Sequence, residues 1–243
     1  MYTRIAATVT LAAAALLAVQ PAFAALIYAP TPIGPSPRTS DYGTVSGSGF
    51  RTFDNFTSAS SASIDRISWR GLWFAEAAPA PAPLPLVDQW EIAFHASSAG
   101  TPGALLWTQT LAASSVASVF AGSGVLTAGT TYNVNFYDYS LDMPALFNIM
   151  AGTEYWISVT AIAAEFNPAF AILGATGGDD SSYQQQLGPG MSIAAAGPVA
   201  RDRALVIEGT LLAVPEPASL ALAGIAIVGL ASRRLKTRGR ASE

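Results

Sequence analysis

The sequence predicts an all-β fold, an antiparallel β-sandwich of jelly-roll-like architecture, on three observations. Short runs alternate apolar and polar residues at period two, which puts every second side chain on one face of a pleated strand. Clusters of Gly, Pro, Ser and Asp separate those runs at turn spacing. Between residues 25 and 213 no stretch keeps helical spacing for three turns, so two packed sheets are the arrangement that buries the apolar faces.

From the N-terminus, Met1 to Arg4 supplies one positive charge, Ile5 to Val19 is almost wholly apolar, and Ala22-Phe23-Ala24 has the small-x-small pattern that signal peptidase cuts. Residues 1–24 are thus read as a signal peptide, with Ala22 and Ala24 as the peptidase site and cleavage after Ala24. Residues 25–50, rich in Pro, Gly and Ser, read as an extended N-terminal arm, and the β-sandwich ectodomain occupies 51–213.

Within that domain Ile67, Trp69, Gly71 and Trp73 share one face of the first clear strand, and Trp90, Ile92, Phe94 and Ala96 share a face of the next. The proline-spaced stretch from Pro79 to Pro85 is a long loop between them. Tyr132, Val134 and Phe136 repeat the alternation; Tyr155, Ile157, Val159 and Ala161 follow, and Leu205 with Ile207 closes the series. Turns are expected at Ser98 to Gly103, Ala121 to Gly124, Ala151 to Thr153 and Gly177 to Asp180.

Beyond residue 213 the character changes. Val214-Pro215-Glu216-Pro217-Ala218-Ser219 leads into an apolar run over 218–231 and a basic tail over 232–240. The run has 14 residues, so at roughly 1.5 Å per residue it covers about 21 Å of a hydrocarbon core about 30 Å thick. It is read as one short transmembrane helix: its apolar side chains cover every side, and Arg233 and Arg234 can snorkel to the interface. Five cations in the tail place it on the cytoplasmic side.

The string from Val214 to Arg234 resembles the PEP-CTERM sorting signal, whose parts are a V-P-E-P box, a short hydrophobic helix and an arginine-rich end. The resemblance, over residues 214–240, implies processing by an exosortase, with Pro215, Glu216 and Pro217 as the sorting motif and Arg233 and Arg234 as the retention end. It also implies a diderm bacterium that makes exopolysaccharide, and passage through the inner membrane to the cell surface or the extracellular space. The two prolines suit that role, because they hold an extended, unpaired backbone that a protease can grip. The succession of strands also resembles the β-sandwich ectodomains of PEP-CTERM proteins, which are similar to jelly-roll modules of the carbohydrate-binding type.

Composition narrows the function. Residues 25–213 hold six arginines, no lysine and fourteen acidic residues, a net charge of −8 beneath the chain's overall −4. Such a surface gives nucleic acid no basic footprint. There is no cysteine, hence no disulfide, thiolate metal site or catalytic thiol.

Candidate chemistry is sparse. His95, the sole histidine, falls on the strand face of Glu91 and Ala93 and is expected to look toward solvent or a loop; no Gly-x-Ser-x-Gly elbow accompanies it. Asp179 and Asp180, after two glycines, are the candidate calcium ligands, and an ordinary acidic turn explains them as well. Trp107 and Trp156 are the candidate glycan-stacking residues, being off the strand faces assigned to the core. The run Thr57 to Ser63 is expected to be a solvated loop. The expectation is a non-enzymatic exported protein without a cofactor, structural or adhesive in an exopolysaccharide or biofilm matrix. The alternative is a carbohydrate-binding module for the host's exopolysaccharide.

Overall fold

A computed structural model describes residues 24–33, 36–74, 87–128, 130–165 and 168–212. Their strands are β1 (Ala24–Tyr28), β2 (Thr31–Pro32), β3 (Arg38–Thr39), β4 (Asp41–Gly43), β5 (Ser48–Thr57), β6 (Ala62–Phe74), β7 (Gln89–Ser98), β8 (Thr101–Ala112), β9 (Ala117–Ala128), β10 (Thr130–Ile149), β11 (Glu154–Ala163), β12 (Ala169–Ile172), β13 (Gly174–Thr176), β14 (Ser181–Leu187), β15 (Ile193–Ala200), β16 (Asp202–Arg203) and β17 (Leu205–Leu211). The all-β expectation holds.

One seven-stranded sheet runs β1-β17-β6-β10-β9, and β12 takes over from β17 along the second half of β6, where it carries β3 on its far side. The other runs β15-β14-β5-β4-β11-β7-β8, and a small sheet β16-β13-β2 joins them. All pairings are antiparallel except β4 with β11. The two large sheets close on a core that alternation had assigned: Ile67, Trp69 and Trp73 from β6 meet Trp90, Ile92 and Phe94 from β7. Its aromatic centre combines edge-to-face and stacked pairs, Trp90 meeting Phe170 at 5.0 Å and 87° and Trp69 lying stacked on Tyr139 at 5.5 Å. Such geometry adds to burial because ring edges and faces carry opposite partial charge.

Four local expectations change. Residues 25–50 are not a free arm: β1 to β4 are distributed over all three sheets, and β5 already begins at Ser48. The loop expected over Thr57 to Ser63 shortens to the four residues between β5 and β6, of which Ala59 and Ser60 are exposed while Ser58 carbonyl accepts from Gly152 N and Ser61 carbonyl from Leu212 N. Ala121 to Gly124 lies inside β9 as a bulge, not a turn, with the register shifting where Gly122 adopts φ +133°. Finally, β11 is buried on both faces beyond Glu154, because it runs between β5 and β7 and its second face carries its own packing, such as Trp156 against Tyr183. The pleat fixes which residues share a face; only the sheet's surroundings fix whether the other face meets water.

Candidate functional site

The end of β17 is the place from which the C-terminal segment departs. Ile207 is buried and Leu211 exposed, so the strand runs out of the core toward solvent. It pairs antiparallel with β1, Ala24 opposite Thr210 and Leu26 opposite Glu208. The first residue of β1 therefore lies beside the last residues of β17, just before the C-terminal segment. Thr210 Oγ1 donates to Asp65 Oδ2 at 3.1 Å, which ties that corner to β6. Ala24 opens β1; Ala22, the sorting residues Pro215, Glu216 and Pro217, Arg233 and Arg234, the helix at 218–231 and the proline loop from Pro79 to Pro85 lie outside the described residues. Among the described residues no helix is long and apolar enough to cross a membrane.

On the outer face of the β6 sheet an open groove of about 570 Å³ is lined by Arg66, Ser68, Arg70, Asp138, Val206 and Glu208, among others. Cross-strand ion pairs fill its floor. Arg70 grips Asp138 with two bonds, 2.7 and 2.8 Å, which raises its pKa further, while Arg66 reaches Asp142 at 3.3 Å and Glu208 at 3.6 Å. All these groups are partly exposed, so the pairs organise the surface more than they stabilise it.

A polar knot sits under the other sheet, and the sequence pattern does not reveal it. Asp54, Asp202 and Arg203 are fully buried. Asp54 Oδ2 accepts from Tyr28 Oη at 2.9 Å and from Arg203 N at 3.0 Å, and Asp202 Oδ2 accepts from Gly178 N at 2.9 Å. Burial pushes the Asp54 carboxyl well above its usual range and lowers the Arg203 guanidinium to about 10. The Arg203 side chain is held by the carbonyls of Ser36, Ala200 and Arg201, so it ties its own stretch of chain to the segment at Ser36. Nearby, Asp41 accepts from Phe170 N at 2.8 Å, and burial raises it to about 8.

The residues singled out from sequence occupy ordinary structural posts. His95 is half-buried, not turned to solvent: Nδ1 lies 3.0 Å from the Gly103 carbonyl, and the ring meets Phe53 edge-on at 5.2 Å. Burial lowers its pKa, and Arg51, which is ion-paired to Glu91, acts in the same direction. Trp156 is 1 % exposed, its indole beside Tyr183 and its Nε1 donating to Ser97 Oγ at 3.4 Å. Trp107 is partly buried and turns onto Phe94 in the core, 5.8 Å between centroids.

Asp179 and Asp180 stand exposed in the β13–β14 turn. One Asp179 oxygen accepts from Ser181 N and the other from Asn55 Nδ2, whose amide also bonds Glu154. Asp180 adopts φ +60°, and its carbonyl accepts from Arg201 N. Among the described residues no group of three or more acidic or histidine side chains is placed to hold a metal ion.

Residues 213–235 match the PEP-CTERM protein-sorting motif, and the match starts two residues beyond the end of β17. No curated protein matches the chain. The chain thus carries a sorting signal, which implies export, membrane-associated sorting and processing by an exosortase.

Proposed function

We propose that this chain, a β-sandwich followed directly by a PEP-CTERM sorting motif, is a non-catalytic structural or adhesive protein of the cell surface or exopolysaccharide matrix. The observation that carries this reading is the join itself: the strand that completes a sheet ends at Leu211 and the sorting motif begins at 213, so the motif follows the packed domain with no intervening module. Supporting a non-catalytic role, His95 spends one ring nitrogen on a backbone carbonyl and packs its ring on Phe53. Supporting a structural role over sugar stacking, the Trp156 indole is buried and Trp107 faces the core.

Mass spectrometry of the protein recovered from its own host tests the processing. The expected species begins at Ala25 and ends close to the Pro215-Glu216-Pro217 box. Intact C-termini at Glu243 on every molecule would overturn it. Binding of the recovered protein to the host's own polysaccharide tests the role: loss on Trp107→Ala with fold intact would promote the carbohydrate-binding alternative.

A further inference from the structure

We propose that the lateral edge formed by β8 and β9 is a self-association surface, at which a second copy of this chain adds antiparallel to β8. The proposal goes beyond sorting and does not depend on it.

Five edge strands bound the two large sheets, and they differ; β3 is only two residues long. β1 is five residues long, and β15 is eight residues long and interrupted by Pro198, which removes a backbone donor. Short strands and proline are ordinary ways of blunting an edge. β8 and β9 have neither short length nor charge, and the one proline of β8, Pro102, lies at its irregular start. Each is twelve residues long and pairs with one neighbour only, β7 and β10 respectively, among the described strands. Only the four residues from Ala113 to Val116 join them, so both sheets end on this same side.

β8 is irregular only near its start. From Trp107 to Ala112 it stays in unbroken register with β7, Trp107 opposite Phe94 through to Ala112 opposite Gln89. That six-residue stretch leaves its outer backbone donors and acceptors facing away from the sheet. Water solvates such a row, and a second extended chain can replace that water with a continuous ladder.

Charge identifies the partner as a second copy. The domain carries −8, so two copies repel wherever their acidic residues meet. Between Glu91 and Asp138 the sequence contains no Asp, Glu, Lys or Arg, and both edge strands lie inside that span. These uncharged strands are where like-charged copies approach at least cost, since the acids directly across from them, Glu91 opposite Thr110 and Asp138 opposite Val119, are ion-paired to Arg51 and Arg70. They are also apolar: Val119, Phe120 and Val125 on β9 and Leu105 and Leu106 on β8 are exposed. Phe120 lies opposite Tyr137, whose ring packs on the core, yet it is 57 % exposed at the open side of the sandwich. A two-fold pairing of β8 with its own copy is self-complementary and closes after two chains.

The test uses the purified full chain in mild detergent, with mass measured by light scattering from about 1 to about 100 µM, a range in which a modest dimer titrates. Wild type is expected to shift from monomer toward dimer. Thr108→Lys with Thr110→Lys, both exposed positions, should weaken association at least tenfold with unchanged circular dichroism, and the control Val45→Lys should leave it unaltered. Because the chain has no cysteine, single Thr108→Cys, Thr110→Cys and Ala112→Cys variants add a geometric readout: one of them should form an intermolecular disulfide, and Ala195→Cys on β15 should not. A monomer throughout, dimers indifferent to the lysines, cross-links on β15, or open-ended polymers would each overturn the proposal.

Discussion

Asp41 shows how one buried side chain sets a pH dependence. Its carboxyl is raised to about 8 by burial, against 3.8 for an exposed one, so the folded protein keeps a proton that the unfolded chain releases between those values. The stability tied to this proton is fully present below about pH 3.8 and is lost as pH rises through about 8; the raised Asp54 carboxyl acts in the same sense. Asp41→Asn removes the titration and keeps an oxygen for Phe170 N. Its melting temperature relative to wild type is expected to rise between pH 5 and pH 8, and a constant difference would refute the linkage. Trp156 makes a second residue-scale case. Truncating a buried indole costs about 3–5 kcal/mol, so Trp156→Ala should lower the melting temperature by about 10 °C. An unchanged melting curve would mean that this indole is not core. Neither role was legible in the sequence: alternation put Trp156 off the core face, and no pattern marks an aspartate that will be buried.

Single strands and turns were read more successfully, and their exceptions have local causes. The β7–β8 hairpin turns on Ala99 and Gly100, with φ of 52° and 74°, the geometry that matches the twist of the flanking strands. Alanine pays a Cβ clash there, so Ala99→Gly should raise the melting temperature by about 2 °C, corresponding to under about 1 kcal/mol; a drop would show that the turn has another form. In β6, a Cβ on Gly71 would stand 2.5 Å from the Phe170 ring and 2.9 Å from the Ala171 carbonyl. Gly71→Ala is therefore expected to destabilise by about 2 kcal/mol in chemical unfolding, because β12 must move away from β6. The turn expected at Ala121 to Gly124 became a bulge since Gly124 lies under the Phe136 ring and Gly122 lets the strand continue through φ +133°. Glycine marks a special backbone in either case; the partner strand decides which kind.

For the whole molecule, the sorting segment and the domain are encoded in different ways. Replacing Pro215-Glu216-Pro217 with alanines should leave the sandwich's melting unchanged and abolish C-terminal processing, read as host protein retained in the membrane fraction with Glu243 present. Normal processing of that variant would remove the box from the recognition site. The sequence by itself determined the sorting motif, the all-β class and most of the core face of β6, β7 and β17, because each rests on local order: residue identity in a short string, or a period of two along one strand. Tertiary structure alone decided that residues 25–50 belong to three sheets, that Asp54, Asp202 and Arg203 meet in a buried knot, and that β8 and β9, strands without a charged residue, are edges of the two large sheets. Those features depend on which distant strands become neighbours. β5 pairs with both β11 and β14, and β1 closes on β17 across nearly the full domain. Strand pairing is set by the summed packing of all faces and not by any one strand's pattern, so it emerges only when the sheets are assembled.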